Sequence, residues 1–193
     1  MALFDFPRYS EPSSYFVREY LAGNFGSLEE INPRTASLFF ALDRYAAAKD
    51  IRKAIDEEKI VVFNRYVASN LAHQGCKIAD AEERMEYFKW NYDLEYAVNG
   101  IPAPDCNIIL FMPPKFAQKM VDKKAERGHL EGKKRDLHEA DIAYLRATSK
   151  TYREIAKLYP NDFLCIECSR GDHVFSIREI HQKVWALVAP MLK

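Results

Sequence analysis

The sequence predicts an α/β protein built as a three-layer α/β/α sandwich, in which helices cover both faces of a parallel sheet. Four short segments are almost continuously apolar, and they occupy residues 3–6, 60–63, 108–112 and 163–167. Apolar runs of this length are typical of parallel strands that are buried on both faces. Helical patterns fill the intervals between them, so strands and helices alternate, and right-handed crossovers are expected to join consecutive strands.

The helical patterns follow from apolar residues that recur every three or four positions. Pro12 and Pro33 suit the first turn of their helices, and the second pattern is long enough to break near Ala48. No repeat, linker or low-complexity segment divides the chain, so residues 1–193 are expected to form one domain. The predicted helices cover residues 12–22, 33–58, 69–74, 80–96, 114–126, 137–159 and 176–192.

The composition and charge of the chain limit the kinds of molecule that it is expected to bind. Of the 193 residues 48% are hydrophobic, which is enough for one substantial core, and the 28 Lys and Arg balance the 28 Asp and Glu. This balance gives no net field for polymeric nucleic acid and favours a small anionic ligand. No segment is apolar enough to span a bilayer and the N-terminus lacks signal-peptide character, so we expect a cytoplasmic protein without membrane contact.

Cysteine spacing does not favour a metal site. Cys165 and Cys168 form a CxxC pair inside the fourth apolar segment, but strand geometry points them to opposite faces and no second pair completes a zinc site. Buried or half-buried thiols are therefore expected at both positions.

The most informative segment is the junction at residues 60–75, where an apolar strand runs into a compact polar block. Open α/β sheets bind ligands at the carboxyl ends of their strands. Arg65 can bring a fork of donors to an oxyanion, and Ser69 and Asn70 supply neutral groups that can read the edge of a heterocycle. The block therefore indicates a site for a phosphorylated base.

Two further groups are candidates for the same site. Phe40 and Arg44 are four residues apart and share a helix face, where a ring and a guanidinium could hold a base; a core aromatic beside a surface ion pair is the ordinary alternative. Arg8 lies between the first strand and the first helix and could contact a phosphate. An ordinary capped turn explains the same residues.

Residues 123–135 form a basic segment that contains Gly128 and Gly132. A charge run of this kind is often only a solvated face, but its position between two helical patterns also suits a lid that closes over a polyphosphate. Asp136 and Glu139 follow on the next helix. They could point at one ribose or metal site, or could simply compensate the helix dipole.

Five motifs, weak individually, occur in the order and approximate spacing found in thymidylate kinases, and the whole chain resembles that family. They are Phe6-Pro7, Leu42-Asp43-Arg44, Asn64-Arg65-Tyr66 with Ser69-Asn70 and His73-Gln74-Gly75, Gly100-Ile101-Pro102 with Pro104-Asp105, and Arg135 to Asp141. The resemblance implies a P-loop NTPase fold and transfer of the γ-phosphoryl of MgATP to dTMP, giving dTDP and ADP. It also implies Mg²⁺ as cofactor and a homodimer.

The resemblance assigns a role to each part of the acceptor site. Phe40 would stack on thymine, Arg44 and Asn70 would contact the base, and Arg65 would hold the 5′-phosphate with Ser69 in the same pocket. The remaining substrate-binding positions would be Arg8, His73, which would help to exclude a ribose 2′-hydroxyl, Asp136 and Glu139.

The transferring phosphoryl group and ATP are assigned to later segments. Basic residues of the lid at 123–135 would act with Arg65 as catalytic groups, because phosphoryl transfer depends mainly on positioning and charge neutralisation. These catalytic residues would be Arg127, Lys133, Lys134 and Arg135. Adenine would lie beside Cys168, Ser169 and Arg170, and Arg127 would also contact ATP.

Two departures from the family pattern matter. Asn64 stands where many relatives carry aspartate, so one carboxylate that could help to place magnesium is neutral. No Gly-x-x-x-x-Gly-Lys-Ser/Thr occurs in the sequence, so the first strand and the Walker A phosphate loop of the family are expected to be missing, and residues 1–193 are expected to be inactive. A truncated sequence is the preferred explanation. The alternatives are a non-catalytic nucleotide-binding or dimerisation protein and a kinase whose phosphate cradle comes from the lid alone.

Overall fold

A computed structural model of the protein describes residues 1–113, 116–117 and 142–192, and its strands confirm the α/β class. Strands β1 (Ala2–Asp5) and β2 (Val61–Asn64) pair in parallel, as do β3 (Asn107–Phe111) and β4 (Phe163–Glu167). All four lie within one residue of their predicted positions. Within the described residues the two pairs are separate two-stranded sheets, so β2 and β3 are each hydrogen-bonded on one side only.

A short antiparallel hairpin follows β4 and was not predicted. It consists of β5 (Ser169–Arg170) and β6 (His173–Val174), joined by a turn in which Gly171 has a φ of +60°. Two-residue strands are too short to leave a periodic pattern in the sequence. The glycine supplies the left-handed conformation that this turn requires.

The helices largely match the predicted ones. The fourth predicted helix ends early, because residues Asp93–Val98 form a π-helical turn. The predicted helix at 114–126, apart from residues 116–117, and the basic segment at 123–135 lie outside the described residues. The helices are α1 (Tyr15–Ala22), α2 (Pro33–Asp56), α3 (Val67–Gly75), α4 (Ala81–Tyr92), α5 (Ile142–Leu158) and α6 (Ile177–Val188).

Helix α2 runs without a break through Ala48. The Asn32 side chain caps its start by accepting a hydrogen bond of 2.8 Å from the backbone N–H of Arg34, and Pro33 occupies the first turn. Ala47 and Ala48 are buried against Phe6 of the first strand region. Alanine has the highest helix propensity and allows this close approach, so nothing at Ala48 interrupts the helix.

Packed side chains connect the two strand pairs. One cluster joins Leu71 of α3 with Phe88 of α4, Ile109 of β3, Ile155 of α5 and Phe163 of β4. A second cluster holds β1 and β2 against α2. Helix α3 contributes to both, because Val67 belongs to the second cluster, and it therefore fixes the β2 strand end relative to α5. No helix in the described ranges is long and apolar enough to cross a membrane.

Candidate functional site

The site begins where β1 and β2 end. Their register places Asp5 beside Asn64, whose side-chain amide donates a hydrogen bond of 2.5 Å to the Asp5 carboxylate. Beyond these residues the chain turns, and Arg65 adopts a φ of +63° in the left-handed region. Few residues other than glycine adopt this conformation, and those that do are concentrated at functional sites.

A small open pocket lies beside these strand ends. Nine residues line it within the described part of the chain. Six of these are substrate-binding residues predicted from the sequence, drawn from α2, α3 and the β2–α3 turn. The six are Phe40, Arg44, Arg65, Ser69, Asn70 and His73, and the other three are Phe6, Pro7 and Gln74.

Arg44 is held from behind by Glu95 of the π-helical turn. Its Nε donates to both carboxylate oxygens of Glu95 at 3.1 and 3.2 Å, and its Nη2 donates to Oε1. The side chains are only 2% and 0% exposed, so this is a desolvated ion pair. In the described part of the chain no group accepts a hydrogen bond from the third nitrogen, Nη1, of this pocket residue.

Asn70 is oriented by acceptors. Its Nδ2 donates to the Ser37 carbonyl at 3.1 Å and approaches Oε1 of Glu95 at 3.5 Å. The hydroxyl of Tyr87 donates to the Asn70 carbonyl and also bonds the Ser37 hydroxyl, which ties α3 to α4 and α2. Burial is the main cause that raises the pKa of Tyr87, so this hydroxyl remains a donor.

Two tyrosines of α5 support the opposite wall of the pocket. The hydroxyl of Tyr144 donates to the His73 carbonyl at 2.7 Å and lies 3.3 Å from Nδ1 of its ring, while Tyr152 donates to the Ser69 hydroxyl at 3.2 Å. Burial holds the pKa of Tyr144 well above its usual value. Nε2 of His73 lies 3.4 Å from Nη1 of Arg65. Helix α5 therefore supports His73 and Ser69 directly, and it reaches Arg65 only through His73.

Gln74 is fully buried at the pocket wall. Its Oε1 accepts a hydrogen bond of 3.2 Å from Nζ of Lys77, whereas its Nε2 has no partner among the described residues. Burial lowers the pKa of Lys77 to about 8, although this ammonium also donates to the Ile31 carbonyl. An unpaired buried amide is costly unless something binds it.

Arg8 is placed beside the pocket and does not line it. Its backbone N–H and its Nε donate to the buried carboxylate of Asp43 at 2.8 and 3.3 Å, and its Nη2 donates to Ser13 and to the Asp43 carbonyl. These bonds join the turn after β1 to α2. The phosphate contact predicted for Arg8 therefore has only Nη1 left to make it.

The other predicted positions lie elsewhere. Cys168 is buried at the end of β4, and Ser169 and Arg170 form β5, so the structure does not bring these three residues into the pocket. All four cysteines are free. The two CxxC side chains lie in different surroundings, as predicted, but the buried or half-buried thiol expected at Cys165 is wrong, because that residue is exposed. The remaining predicted positions, Arg127, Lys133, Lys134, Arg135, Asp136 and Glu139, lie outside the described residues.

Sequence reasoning missed the supporting residues. Glu95, Tyr144 and Tyr152 lie 51, 71 and 83 residues from the groups that they hold. Glu95 lies between Leu94 and Tyr96 near the end of the helix predicted at 80–96. A glutamate within such an apolar stretch is the one sequence signal that could have indicated a buried carboxylate, but it does not identify Arg44 as its partner.

An α/β fold with an arginine-bearing pocket at its strand ends has the arrangement in which nucleotides and other phosphorylated ligands are often bound. The sequence profile of the thymidylate kinase family matches residues 2–184. A thymidylate kinase of Mycobacterium tuberculosis is 30% identical over 157 residues, which are 81% of this chain and 72% of the relative. One of Bifidobacterium longum is 27% identical over 175 residues, which are 90% of this chain and 73% of the relative.

Solved structures agree with this assignment at the level of the fold. A thymidylate kinase from Candida albicans matches with a TM-score of 0.67 at 15% identity and covers 97% of this chain and 79% of that one. One from Ehrlichia chaffeensis matches with a TM-score of 0.61 at 18% identity, over 97% and 80%. The chain belongs to the thymidylate kinase family, whose members are nucleoside monophosphate kinases of the P-loop fold.

Proposed function

We propose that the pocket binds dTMP as the phosphoryl acceptor of a thymidylate kinase, in which the γ-phosphoryl of MgATP passes to dTMP to give dTDP and ADP. The observation that carries this proposal is the convergence of Phe40, Arg44, Arg65, Ser69 and Asn70 on one pocket from three different segments. The family membership of the chain supports the reaction type.

The polarity of the pocket fits a thymine edge. Arg44 presents a donor through Nη1, and the side-chain oxygen of Asn70 is an acceptor because its nitrogen is engaged by Ser37 and Glu95. Thymine offers the complementary pair, an O4 acceptor beside an N3–H donor, whereas cytosine offers a donor beside an acceptor. The unpaired Nε2 of Gln74 is a second donor at the same wall.

The sugar and phosphate would extend towards the strand ends. Arg65 is exposed at the mouth of the pocket and can form two parallel hydrogen bonds with a phosphate. His73 is 9% exposed and rests against Tyr144 and Tyr152, so its ring forms a firm wall beside the sugar. A 2′-hydroxyl on this side would meet a ring that cannot easily move.

The residues next to Arg65 fit magnesium bound together with ATP. Mg²⁺ takes one or two protein oxygens in addition to phosphates and waters. Asp5 supplies an exposed carboxylate beside Asn64, so a carboxylate is present next to the position where the family motif has lost one. When bound, Mg²⁺ would neutralise charge on the phosphates; Asp5 and the amide oxygen of Asn64 are the protein groups that would hold it.

We further propose that Arg127, Lys133, Lys134 and Arg135 meet the transferring phosphoryl charge and that Cys168, Ser169 and Arg170 lie beside adenine. The family resemblance supports both assignments. Since no phosphate loop occurs within residues 1–193, we infer that these residues alone bind dTMP but bind ATP poorly, and that they show almost no phosphoryl transfer. The separate strand pairs also fit a non-catalytic nucleotide-binding protein, which is the second candidate.

We also propose a homodimer. Leu38, Leu42 and Tyr45 form a stripe on α2 with exposed fractions of 39, 49 and 55%. The spacing of four and three residues places them on one helix face. The stripe is apolar and faces away from the core of the protein. A second copy packed against it would therefore remove these three side chains from water.

The acceptor assignment predicts selective binding. Calorimetric titration of residues 1–193 should give the tightest binding for dTMP among dTMP, dUMP, dCMP and dGMP. Phe40→Leu removes the stacking surface, and dTMP should then bind about 5- to 150-fold more weakly, because stacking on a ring contributes about 1–3 kcal/mol. The matched control is Phe39→Leu, one position along α2 and outside the pocket, which should bind like the parent. Equal affinity for dTMP and dCMP in the parent protein would contradict the assignment.

A second prediction concerns Arg65. Arg65→Lys keeps the charge but loses the planar fork, so dTMP affinity should fall about tenfold or more. Thymidine, which lacks the phosphate, should bind both proteins equally. Arg52→Lys is the control, since Arg52 is an arginine that donates to the Gly100 carbonyl away from the pocket. An equal loss for thymidine and dTMP would show that Arg65 acts on the fold and not on the phosphate.

A third prediction separates the two candidate functions. Residues 1–193 should form dTDP from MgATP and dTMP no faster than the uncatalysed background, measured by coupled ADP release. A version preceded by a strand, phosphate loop and helix of the family should be active. If that version also fails while dTMP still binds, the protein is a nucleotide-binding module; magnesium-dependent dTDP formation by residues 1–193 would instead require a phosphate cradle elsewhere in the chain.

The dimer proposal predicts a concentration-dependent mass in sedimentation equilibrium. Leu42→Glu places a charge in the middle of the α2 stripe and should shift the protein to a monomer. Ile177→Glu is the control, because Ile177 is 89% exposed on α6 and far along the chain from the stripe. Dimers that persist in the Leu42 variant, or a monomeric parent, would exclude this interface.

A further inference from the structure

We propose that Glu95 is a positioning residue that determines base selectivity by fixing the hydrogen-bond polarity of Arg44 and Asn70. Glu95 does not line the pocket and would not touch a nucleotide. Its carboxylate contacts both base-reading side chains from behind. This inference rests on the proposed function, because it concerns the same base-binding wall.

The contact with Glu95 fixes the orientation of the Arg44 guanidinium. Nε and Nη2 are both occupied by the carboxylate, so the group is held by its side and cannot turn about its axis without breaking a buried charge pair. Nη1 is then the nitrogen available to the pocket. A guanidinium has donors only, and Arg44 can therefore recognise only an acceptor on the base.

The contact with Asn70 fixes the orientation of its carboxamide, which unlike a guanidinium can present either a donor or an acceptor. A carboxamide can be turned by 180°, which exchanges its donor for its acceptor. In Asn70 the nitrogen lies between the Ser37 carbonyl and the Glu95 carboxylate, and both of these are acceptors. Turning the amide would set its oxygen against two acceptors in a site that is 2% exposed, which is strongly unfavourable. The carboxylate thus keeps the Asn70 oxygen as an acceptor for the base.

The Glu95 carboxylate therefore leaves a donor on Arg44 beside an acceptor on Asn70. This pair is complementary to the O4 acceptor and the N3–H donor of thymine, but not to the N4–H₂ donor and the N3 acceptor of cytosine. Glutamine at position 95 is almost the same size but presents an N–H₂ group as well as an oxygen. Oε1 of Glu95 accepts from Nη2 of Arg44 and also faces Nδ2 of Asn70, whereas Oε2 faces only Nε of Arg44. A glutamine nitrogen in the place of Oε2 would meet the Nε donor of Arg44, and in the place of Oε1 it would meet the donors of both Arg44 and Asn70. Because either orientation brings donors together, the two base-reading side chains would no longer be held in one arrangement, and discrimination between thymine and cytosine should weaken.

The decisive measurement is the ratio of dissociation constants for dCMP and dTMP, determined by calorimetry on residues 1–193. Glu95→Gln should reduce this ratio about tenfold or more. Glu95→Asp keeps two acceptor oxygens and should retain a ratio closer to that of the parent, even if both nucleotides bind more weakly. Glu154→Gln is the matched control: it breaks the half-buried pair with Arg84 between α4 and α5, and should lower the unfolding temperature without changing the ratio.

Each outcome separates this inference from the proposed function. A parent protein that does not prefer dTMP would refute the proposed function itself. A parent that prefers dTMP together with a Glu95→Gln variant of unchanged ratio would refute the inference alone. A fall in the ratio that is equal in the Gln and Asp variants would show that the pair acts only through packing.

If the Glu95→Gln variant does not fold, a measurement on the parent protein tests the same inference. In nuclear magnetic resonance spectra, the side-chain N–H₂ signals of Asn70 should be protected from solvent exchange before and after saturation with dTMP, and should show contacts to Ser37. The Arg44 guanidinium signals should shift on binding. Direct contacts between the Asn70 N–H₂ group and the base would overturn the inference, because the amide would then be turned the other way.

Discussion

The buried ion pair between Arg44 and Glu95 is the constraint on which the candidate site depends. Removing two charges from water costs several kcal/mol per ion, and their attraction offsets that cost only when the geometry is good and hydrogen bonds satisfy both groups. Here the side of the guanidinium faces the carboxylate, and Asn70 adds a further donor. A buried pair is nonetheless a weak source of net stability, so its presence at the back of a pocket is better explained by what it does to the pocket.

The local architecture shows how the pair is assembled. Helix α4 passes into a π-helical turn over Asp93–Val98, and such wide turns are rare and often found at functional sites. The turn brings Glu95 inward, next to α2 and α3. A hydrogen-bonded triangle of Ser37, Tyr87 and Asn70 joins the same three helices at the same depth. This wall of the candidate site therefore rests on neutral and charged contacts that reinforce one another, and its side chains have little freedom to reorient.

Short-range geometry in the sequence pointed to five of the pocket residues, whereas His73 was assigned by the family resemblance alone. Phe40 and Arg44 share a face through the helical period, and Arg65, Ser69 and Asn70 follow a strand end at a fixed distance. The groups behind them could not be predicted in this way, since Glu95 and Tyr144 reach the site through tertiary packing across 51 and 71 residues. Arg8 illustrates the opposite case: its position was predicted, but its partner, the buried carboxylate of Asp43, was not. The assignments at 123–139 remain predictions.

The separation of the two strand pairs gives the site a particular organisation. The described residues that line the pocket run from Phe6 to Gln74, and they lie on α2, on α3 and in the turns that follow β1 and β2. The other pair, β3 and β4, leads instead to the hairpin at 169–174, where the resemblance places adenine. Helices α3 and α5 connect the halves by packing and by the contacts of Tyr144 and Tyr152 with His73 and Ser69. Among the described residues the candidate pocket is thus built from one half of the chain, and its position relative to the hairpin depends on how firmly those two helices hold the halves together.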